Sequence, residues 1–220
     1  QQEVYTKLLK ESRSSLLDAE GGRKRMLALT ALLRLRQTCC DLRLLGMQDI
    51  ADEEASVKAD ALSELLEEAI EGGHRVLVFS QFVEMLQLIV LQLVEKKVDF
   101  CYLDGQTKNR GDVVNKFQTK DIPVFLISLK AGGVGLNLTG ADTVIHVDPW
   151  WNPAVEAQAT DRAHRIGQTR VVTSYKLITR NTVEEKILTL QNKKRAIMES
   201  LLADAGDASM NEGELMSLFE

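Results

Sequence analysis

The sequence predicts an α/β fold: a doubly wound, mainly parallel sheet with helices on both faces, preceded by an N-terminal helical segment. Three observations carry this. Beyond a boundary near Ser56, short apolar runs alternate with amphipathic stretches, the pattern of strands joined by crossover helices. The strands VLVF, PVFLI and TVIHV are near-continuous apolar runs, as strands buried on both faces are. And 220 residues, 45% hydrophobic and 27% charged, hold one sizeable domain or two small ones with a real core, which sets aside disordered, collagen-like and coiled-coil classes.

The elements follow in order. From Glu3 to Leu45 apolar residues recur at three and four (Val4, Leu8; Leu16, Leu17; Met26, Leu29, Leu32, Leu33), and Gly21-Gly22 breaks the run into two helices, the second closed by Gly46. The acidic, weakly apolar MQDIADEEAS reads as a linker. Then come helix Ala59 to Glu71, strand Arg75 to Phe79, helix Phe82 to Glu95, strand Phe100 to Leu103 and helix Lys108 to Phe117. Strand Val124 to Ser128 leads into a Gly-rich loop, and strand Thr143 to Val147 into a helix from Pro153 to His164, with Pro153 suited to its first turn. Strand Val171 to Leu177 and helix Val183 to Leu202 complete the pattern.

Cys39, Cys40 and Cys101 are odd in number and include a vicinal pair, a poor disulfide. They are expected to be buried thiols of a reducing compartment. No apolar run approaches the roughly 20 residues a membrane span needs, so no membrane partner is expected. The start QQEVYTKLLKESRSS is charged where a signal peptide is apolar, and without Met it reads as the start of a fragment. Net charge is -5, with pI near 5.4, so nucleic acid must be met by a local basic surface. Basic residues gather in the first segment, while the tail after Leu202 carries Asp204, Asp207, Glu212, Glu214 and Glu220 and no Lys or Arg, a pattern usual for solvated faces.

In a parallel sheet, ligands sit beyond the carboxyl ends of the strands. Those loops hold Ser80-Gln81, then Asp104-Gly105-Gln106-Thr107, then Ser128-Leu129-Lys130-Ala131-Gly132-Gly133-Val134-Gly135-Leu136-Asn137-Leu138-Thr139. Glycine lets backbone amides approach an oxyanion and hydroxyls and a Lys add donors, so several such loops on one edge make a phosphate-tracking groove. Singly each is weak, since a DG dipeptide is most often a plain turn. Trp150 and Trp151 are expected to diverge, one packing inward and one reaching out to stack on a sugar or base or to meet a partner, or else both lodge under a loop. Gln158, Asp161, Arg162 and Arg165 recur at three and four and would line one helical stripe, with Ile166-Gly167-Gln168 ending the helix. Such a stripe is either surface ion pairing or a set of guanidinium forks for a phosphoryl group in transit.

The chain lacks the means to bind and hydrolyse a nucleotide alone in the P-loop manner, because no Gly-Lys pair occurs in it. Asp52-Glu53-Glu54 follows no apolar strand and is a poor Mg2+ site. AGGVG lacks the dinucleotide GxGxxG spacing, and His74, His146 and His164 lack metal-ligand spacing, so no metal site is assigned. An essential part therefore lies outside this chain.

Read together, these residues resemble the second RecA-like motor lobe of the Swi/Snf family of DNA-translocating ATPases. VLVFSQF is similar to that family's motif IV, YLDGQT with Arg110 downstream to motif IVa, LISLKAGGVGLNLTGADTVIHVDPWWNP to motif V and its extension, and QATDRAHRIGQTR to motif VI. The resemblance runs from about Leu62 to Leu188. DRAHRIGQ sets it apart from the wider helicase superfamily, where the segment usually reads more like QRxGRxGR. QQEVYTKLL and LLRLRQTCCDLRLL resemble the family's connection between lobes and helical protrusion, with Leu42 where a Pro is common. The resemblance implies ATP and Mg2+ held mainly by an N-terminal RecA-like lobe of the same parent protein. It implies Arg165 as arginine finger and Arg162 as its partner, with Gln158, Gly135, Asn137 and Asp161 bordering the nucleotide. Ser80, Gln81, Gly105, Thr107, Ser128, Lys130, Gly132 and Trp151 would meet one strand of double-stranded DNA.

On this reading residues 1–57 form a helical linker or protrusion, 58–190 the RecA-like lobe, and 191–220 a brace helix and acidic tail. Lys193-Lys194-Arg195 reads as part of a helix bracing both lobes, with DNA contact as its alternative. The implied activity is DNA-stimulated ATP hydrolysis driving translocation, the chain alone being inactive, with a DNA-bound protein as possible cargo. The acidic tail and the lack of a strong basic targeting cluster favour a bacterial cytoplasmic, nucleoid-associated protein over a nuclear one. The rival from another class is a non-catalytic DNA- or protein-binding module derived from such a motor, against which Gln158, Arg162 and Arg165 argue. A nucleotide-dependent transferase is disfavoured because no strand-end loop offers an acceptor site with a general base.

Overall fold

The computed structural model describes residues 1–47, 49–131, 136–164, 168, 170–201 and 211–219. It divides into two compact units, one of residues 1–58, 149–153 and 178–220, the other of residues 59–148 and 154–177.

The second unit is built on five strands, β1 (Val76–Ser80), β2 (Phe100–Leu103), β3 (Val124–Ser128), β4 (Thr143–His146) and β5 (Thr173–Lys176), in the order β2-β3-β1-β4-β5. Every pairing is parallel. The path from β1 through α5 (Val83–Glu95) to β2 runs one way across the sheet, and that from β2 through α6 (Arg110–Thr119) to β3 runs back. Right-handed crossovers therefore put α5 and α6 on opposite faces. Leu77, Phe79, Cys101, Leu103, Phe125, Ile127 and Val144 pack with Phe117 of α6 and Ala159 of α7 (Pro153–Thr160). The alternate residues Val76, Val78, Val124, Leu126 and Ile145 are equally buried, and α5 lies along β1 and β3. The doubly wound sheet is thus as predicted. Its last strand is shorter than the expected 171–177, and Thr173, Ser174 and Tyr175 are exposed because β5 has a neighbour on one side alone.

His146 of β4 is buried within this unit. Its ring stacks on Phe79 with centroids 5.6 Å apart, and Nε2 lies 3.1 Å from Thr160 Oγ1 at the end of α7. Burial, with Lys176 assisting and Glu156 opposing, lowers its pKa to about 4. Lys176 of β5 donates to the buried Glu156 of α7.

The first unit gathers α1 (Gln2–Leu17), α2 (Gly21–Cys40), α3 (Asp52–Ala55), the start of α4 (Val57–Glu71), α8 (Val183–Leu201) and α9 (Glu212–Ser217). The first helix break falls at 18–20, just before the predicted glycines, and Gly21, at φ +54, opens α2. Gly46, at φ +84, closes a separate 3₁₀ turn, Leu42–Leu45, rather than α2. Asp41 causes the separation: extended at φ -161, it accepts from the Arg43 N–H at 2.8 Å and pairs with the Arg43 guanidinium at 2.7 Å. Asp41 thus builds the turn where Leu42 stands in place of Pro. The expected linker is also tied down, since Arg43 pairs with Asp52 at 2.6 Å and the buried Ser56 hydroxyl donates to the Cys40 carbonyl at 2.5 Å.

Part of the expected acidic tail is core. Asn211 and Glu214 form a reciprocal capping box at the start of α9, which carries Leu215 into a cluster with Tyr5, Leu35, Val183 and Ile187, and Leu218 and Phe219 follow. Cys39, Cys40 and Cys101 are buried free thiols, as expected, and burial pushes Cys39 up to about 12. Among the described residues no helix is long and apolar enough to cross a membrane.

Lys58 Nζ and Glu184 Oε1 are 2.7 Å apart and both buried, and Glu184 Oε2 also accepts from the Thr179 N–H at 2.8 Å. Removing one partner of a buried pair leaves a charge uncompensated, so Glu184→Ala is expected to lower the unfolding free energy by about 3–5 kcal/mol in urea titration. His146 gives a pH signature. Its ring ionises at 6.5 when free and at about 4 when folded, so between those values the unfolded chain binds the extra proton. Stability therefore falls as pH drops through that window, by up to about 1.4 kcal/mol per pH unit. In His146→Phe the unfolding free energy should depend more shallowly on pH there, and an unchanged slope would contradict the assignment.

Candidate functional site

The parallel register places the loops after the strands on one edge. Ser80 pairs with Ser128 and Leu103 with Ile127, so the loop of Asp104 lies beside the end of β3. The Ser80 carbonyl accepts from the Leu129 N–H and the Phe79 carbonyl from the Val147 N–H, each at 2.9 Å, carrying the alignment one residue past the strands.

Asp148, with no exposed surface, anchors this edge. Its carboxylate accepts from the Ser80 hydroxyl at 2.5 Å and from the Gln81 N–H at 3.2 Å, while Ser80 Oγ accepts from the Phe82 N–H at 3.1 Å. Ser80 is therefore a buried support of the loops, and Ser128 is buried as well; neither is the exposed donor its position predicts. Gln81 is half-buried and Lys130 exposed.

The DG dipeptide forms a turn capped by its own side chain. Asp104 Oδ1 accepts from the N–H groups of Gln106 (2.9 Å) and Thr107 (3.0 Å) and from the Thr107 hydroxyl (3.0 Å). Burial pushes this carboxyl up, but those donors prevail and hold it below the ordinary carboxylate range. Gly105 is exposed, and a Cβ there would meet nothing within 4 Å, so no close approach within the chain requires glycine.

The predicted arginine stripe divides. α7 ends at Thr160, not His164, because the chain tightens into i→i−3 bonds, Arg162 N–H to Ala159 O at 3.3 Å and Ala163 N–H to Thr160 O at 3.1 Å. Gln158 and Asp161 are exposed, whereas Arg162 is 2% exposed. The Arg162 carbonyl accepts from the Leu138 N–H at 3.0 Å, joining this turn to the segment that leaves the Gly-rich loop. Asn137, exposed, lies on that segment. Gly132, Gly135 and Arg165 lie outside the described residues.

Trp150 and Trp151 do not diverge. Both belong to the first unit, both are half-buried, and their rings stack with centroids 3.8 Å apart. The buried Arg36 guanidinium lies 5.5 and 5.6 Å from the two ring centroids and donates to the Pro149 carbonyl. In the same unit, Lys194 of the basic triplet pairs with Glu214 at 3.1 Å, Lys193 being exposed.

The sequence reading gave no site role to Asp148 or Gln118, and to Gln168 only a part in ending the helix. Each acts by bonding backbone far away in the chain, which no periodicity records. Only Asp148 left a signal, a carboxylate directly after an apolar strand.

The helicase conserved C-terminal domain model matches residues 57–167. The chain is 42% identical over 197 residues to an uncharacterized ATP-dependent helicase of Mycoplasma genitalium, covering 87% of this chain and 19% of that protein. It is 51% identical over 147 residues to the chromatin-remodeling ATPase INO80 of Emericella nidulans, covering 66% of this chain and 9% of that protein. The chain thus spans about a fifth or less of these curated relatives. Among solved structures, the Sulfolobus solfataricus SWI2/SNF2 ATPase C-terminal domain aligns with TM-score 0.73 and 31% identity, over 98% of this chain and 91% of that one. The core of that ATPase in complex with double-stranded DNA aligns with TM-score 0.78 and 32% identity, over 98% of this chain and 46% of that one. With the sheet order, the strand-end loops and these matches in hand, the chain belongs to the helicase conserved C-terminal domain family, as the C-terminal RecA-like lobe of a Swi/Snf-type ATPase.

Proposed function

We propose that this chain is the second motor lobe of an ATP-dependent double-stranded DNA translocase of the chromatin-remodelling type. It would work with an N-terminal RecA-like lobe of the same parent protein, which holds ATP and Mg2+. The observation that supports this best is the strand-end edge. Parallel register aligns the exits of β1, β2 and β3, which brings the half-buried Gln81, the exposed Gly105 turn and the exposed Lys130 into one row. Such a row suits a phosphate backbone, which is met by N–H groups, hydroxyls and cations and not by base-reading side chains.

Gln81, Gly105, Thr107, Lys130 and Gly132 would meet the DNA strand, with Ser80 fixing its neighbouring loops, Ser128 buried at the end of β3, and Trp151 as a further DNA contact. Arg165 would approach the transferring phosphoryl group, with Arg162 beside it, and Gln158, Asp161, Gly135 and Asn137 would border the nucleotide. Guanidinium and amide groups suit phosphate oxygens, whereas Asp104 and Asp148, the carboxylates at the strand-end edge, are occupied by hydroxyl and backbone donors. Closing of the lobes on ATP and reopening after hydrolysis would alternate the phosphate contacts and step the motor along the duplex against a DNA-bound protein. The Mycoplasma relatives favour a bacterial cytoplasm as the place of work.

In the parent protein, Arg165→Ala should cut DNA-stimulated ATP turnover by about 10³-fold or more, and the present chain alone should show none. Turnover within a few-fold of normal in that variant would remove the finger assignment. Lys130→Ala should weaken duplex binding and reduce the slope of log affinity against log salt by about 1, as one phosphate contact is lost. An unchanged slope would take Lys130 off the DNA track.

A further inference from the structure

We infer that Gln168 is a positioning residue for the turn of Arg162, an inference that rests on the motor reading above. The two N–H groups of its carboxamide are shared among the carbonyls of Ala141 (2.7 Å), Ala163 (3.1 Å) and Thr139 (3.2 Å), and its oxygen accepts from the Arg170 N–H at 2.9 Å. Thr139 and Ala141 lie on the segment that runs from the Gly-rich loop into β4, and Ala163 directly follows Arg162. One planar group therefore ties the exit of the Gly-rich loop to Ala163, beside Arg162, and to Arg170.

The rest of that segment is held just as closely. The Leu138 N–H donates to the Arg162 carbonyl. On the opposite side Gln118 of α6 donates to the Asn137 carbonyl and accepts from the Gly140 N–H, both at 2.9 Å. A Cβ on Gly140 would come within 2.5 Å of Gln118 Oε1 and 2.7 Å of an Arg75 guanidinium nitrogen, so a side chain there would displace the Gln118 carboxamide. Residues 137–141 are thus clamped between two carboxamides, and the turn of Arg162 hangs from the clamp.

A carboxamide is the side chain that does this, because it presents donors and an acceptor in one plane. Carboxylate has no donors, and methionine fills the space with neither. Gln168 itself meets neither nucleotide nor DNA in this reading. It acts through Arg162, six residues before it, whose placement must be accurate because a misplacement of about 1 Å costs about 10²-fold in rate.

The test is a double-mutant cycle in the full-length parent protein, reading ATP turnover at saturating duplex DNA. Gln168→Met should lower kcat by about 10–100-fold and leave KM for ATP within about threefold, since the other lobe carries most ATP binding. Combined with Arg162→Ala it should cause almost no further loss, because the group it places is already gone. A merely structural role would lower the thermal midpoint and multiply its loss in both backgrounds. Turnover within about twofold of normal in Gln168→Met, or losses that multiply, would overturn the inference. Gln168→Glu keeps the shape and the acceptor for Arg170 without the donors, and is judged by the same cycle if the Met variant does not fold. If neither folds, Gln168 is a stability element and the inference falls. An Arg165→Ala variant with normal turnover overturns the motor reading and this inference with it, whereas a crippled Arg165→Ala beside a silent Gln168→Met overturns the inference alone.

Discussion

Asp148 carries a carboxylate with no exposed surface at the point where the chain leaves β4, and such a group persists only where donors surround it. The Ser80 hydroxyl and the Gln81 N–H supply donors, and both belong to the exit of β1. Ser80 then passes the constraint on: its Oγ receives the Phe82 N–H and its carbonyl the Leu129 N–H, fixing the start of α5 and the exit of β3. A single buried charge thus holds loops that are far apart in sequence. The next residue, Pro149, belongs to the other unit, where its carbonyl meets the Arg36 guanidinium beneath the stacked Trp150 and Trp151. In the proposed motor, which would follow phosphates at fixed spacing, loops held from beneath would serve better than loops whose own donors are free to wander, because ordering a mobile donor costs conformational entropy at each contact.

What was legible in the sequence was whatever burial writes into periodicity. Strands covered on both faces read as unbroken apolar runs, and the crossover helices as amphipathic ones, so the sheet and its strand-end loops could be placed before any coordinates. The motif strings then located the edge and the arginine segment. The rest depended on bonds between distant backbone and side-chain groups. Nothing in the helical pattern of the second helix shows that Asp41 will extend and fold back onto Arg43. The acidic tail hid a helix because its charges mask Leu215, Leu218 and Phe219, although Asn211 with Glu214 three residues on spells a capping box. The two tryptophans were expected to part because adjacent side chains in regular structure diverge, but in an irregular segment a guanidinium gathered both.

The end of α7 shows how a small departure from regular structure changes what a site offers. Were the helix to continue past Thr160, Gln158 and Arg162 would share one face, four residues apart. The tightened turn breaks that register: Gln158 and Asp161 remain at the surface while Arg162 is drawn in. An exposed arginine loses rotamer freedom of roughly 2 kcal/mol when a ligand fixes it, whereas one already held by the fold does not. In the motor reading, Arg162 would therefore act by where it is placed and not by how far it reaches. The ties that shape its turn, from Leu138 and the Gln168 carboxamide, then matter to turnover as much as the charge they position. Because those ties run to residues 138–141, a shift of that segment on a phosphate backbone would, in the motor reading, be passed to the Arg162 turn through the Leu138–Arg162 backbone bond and the Gln168 carboxamide.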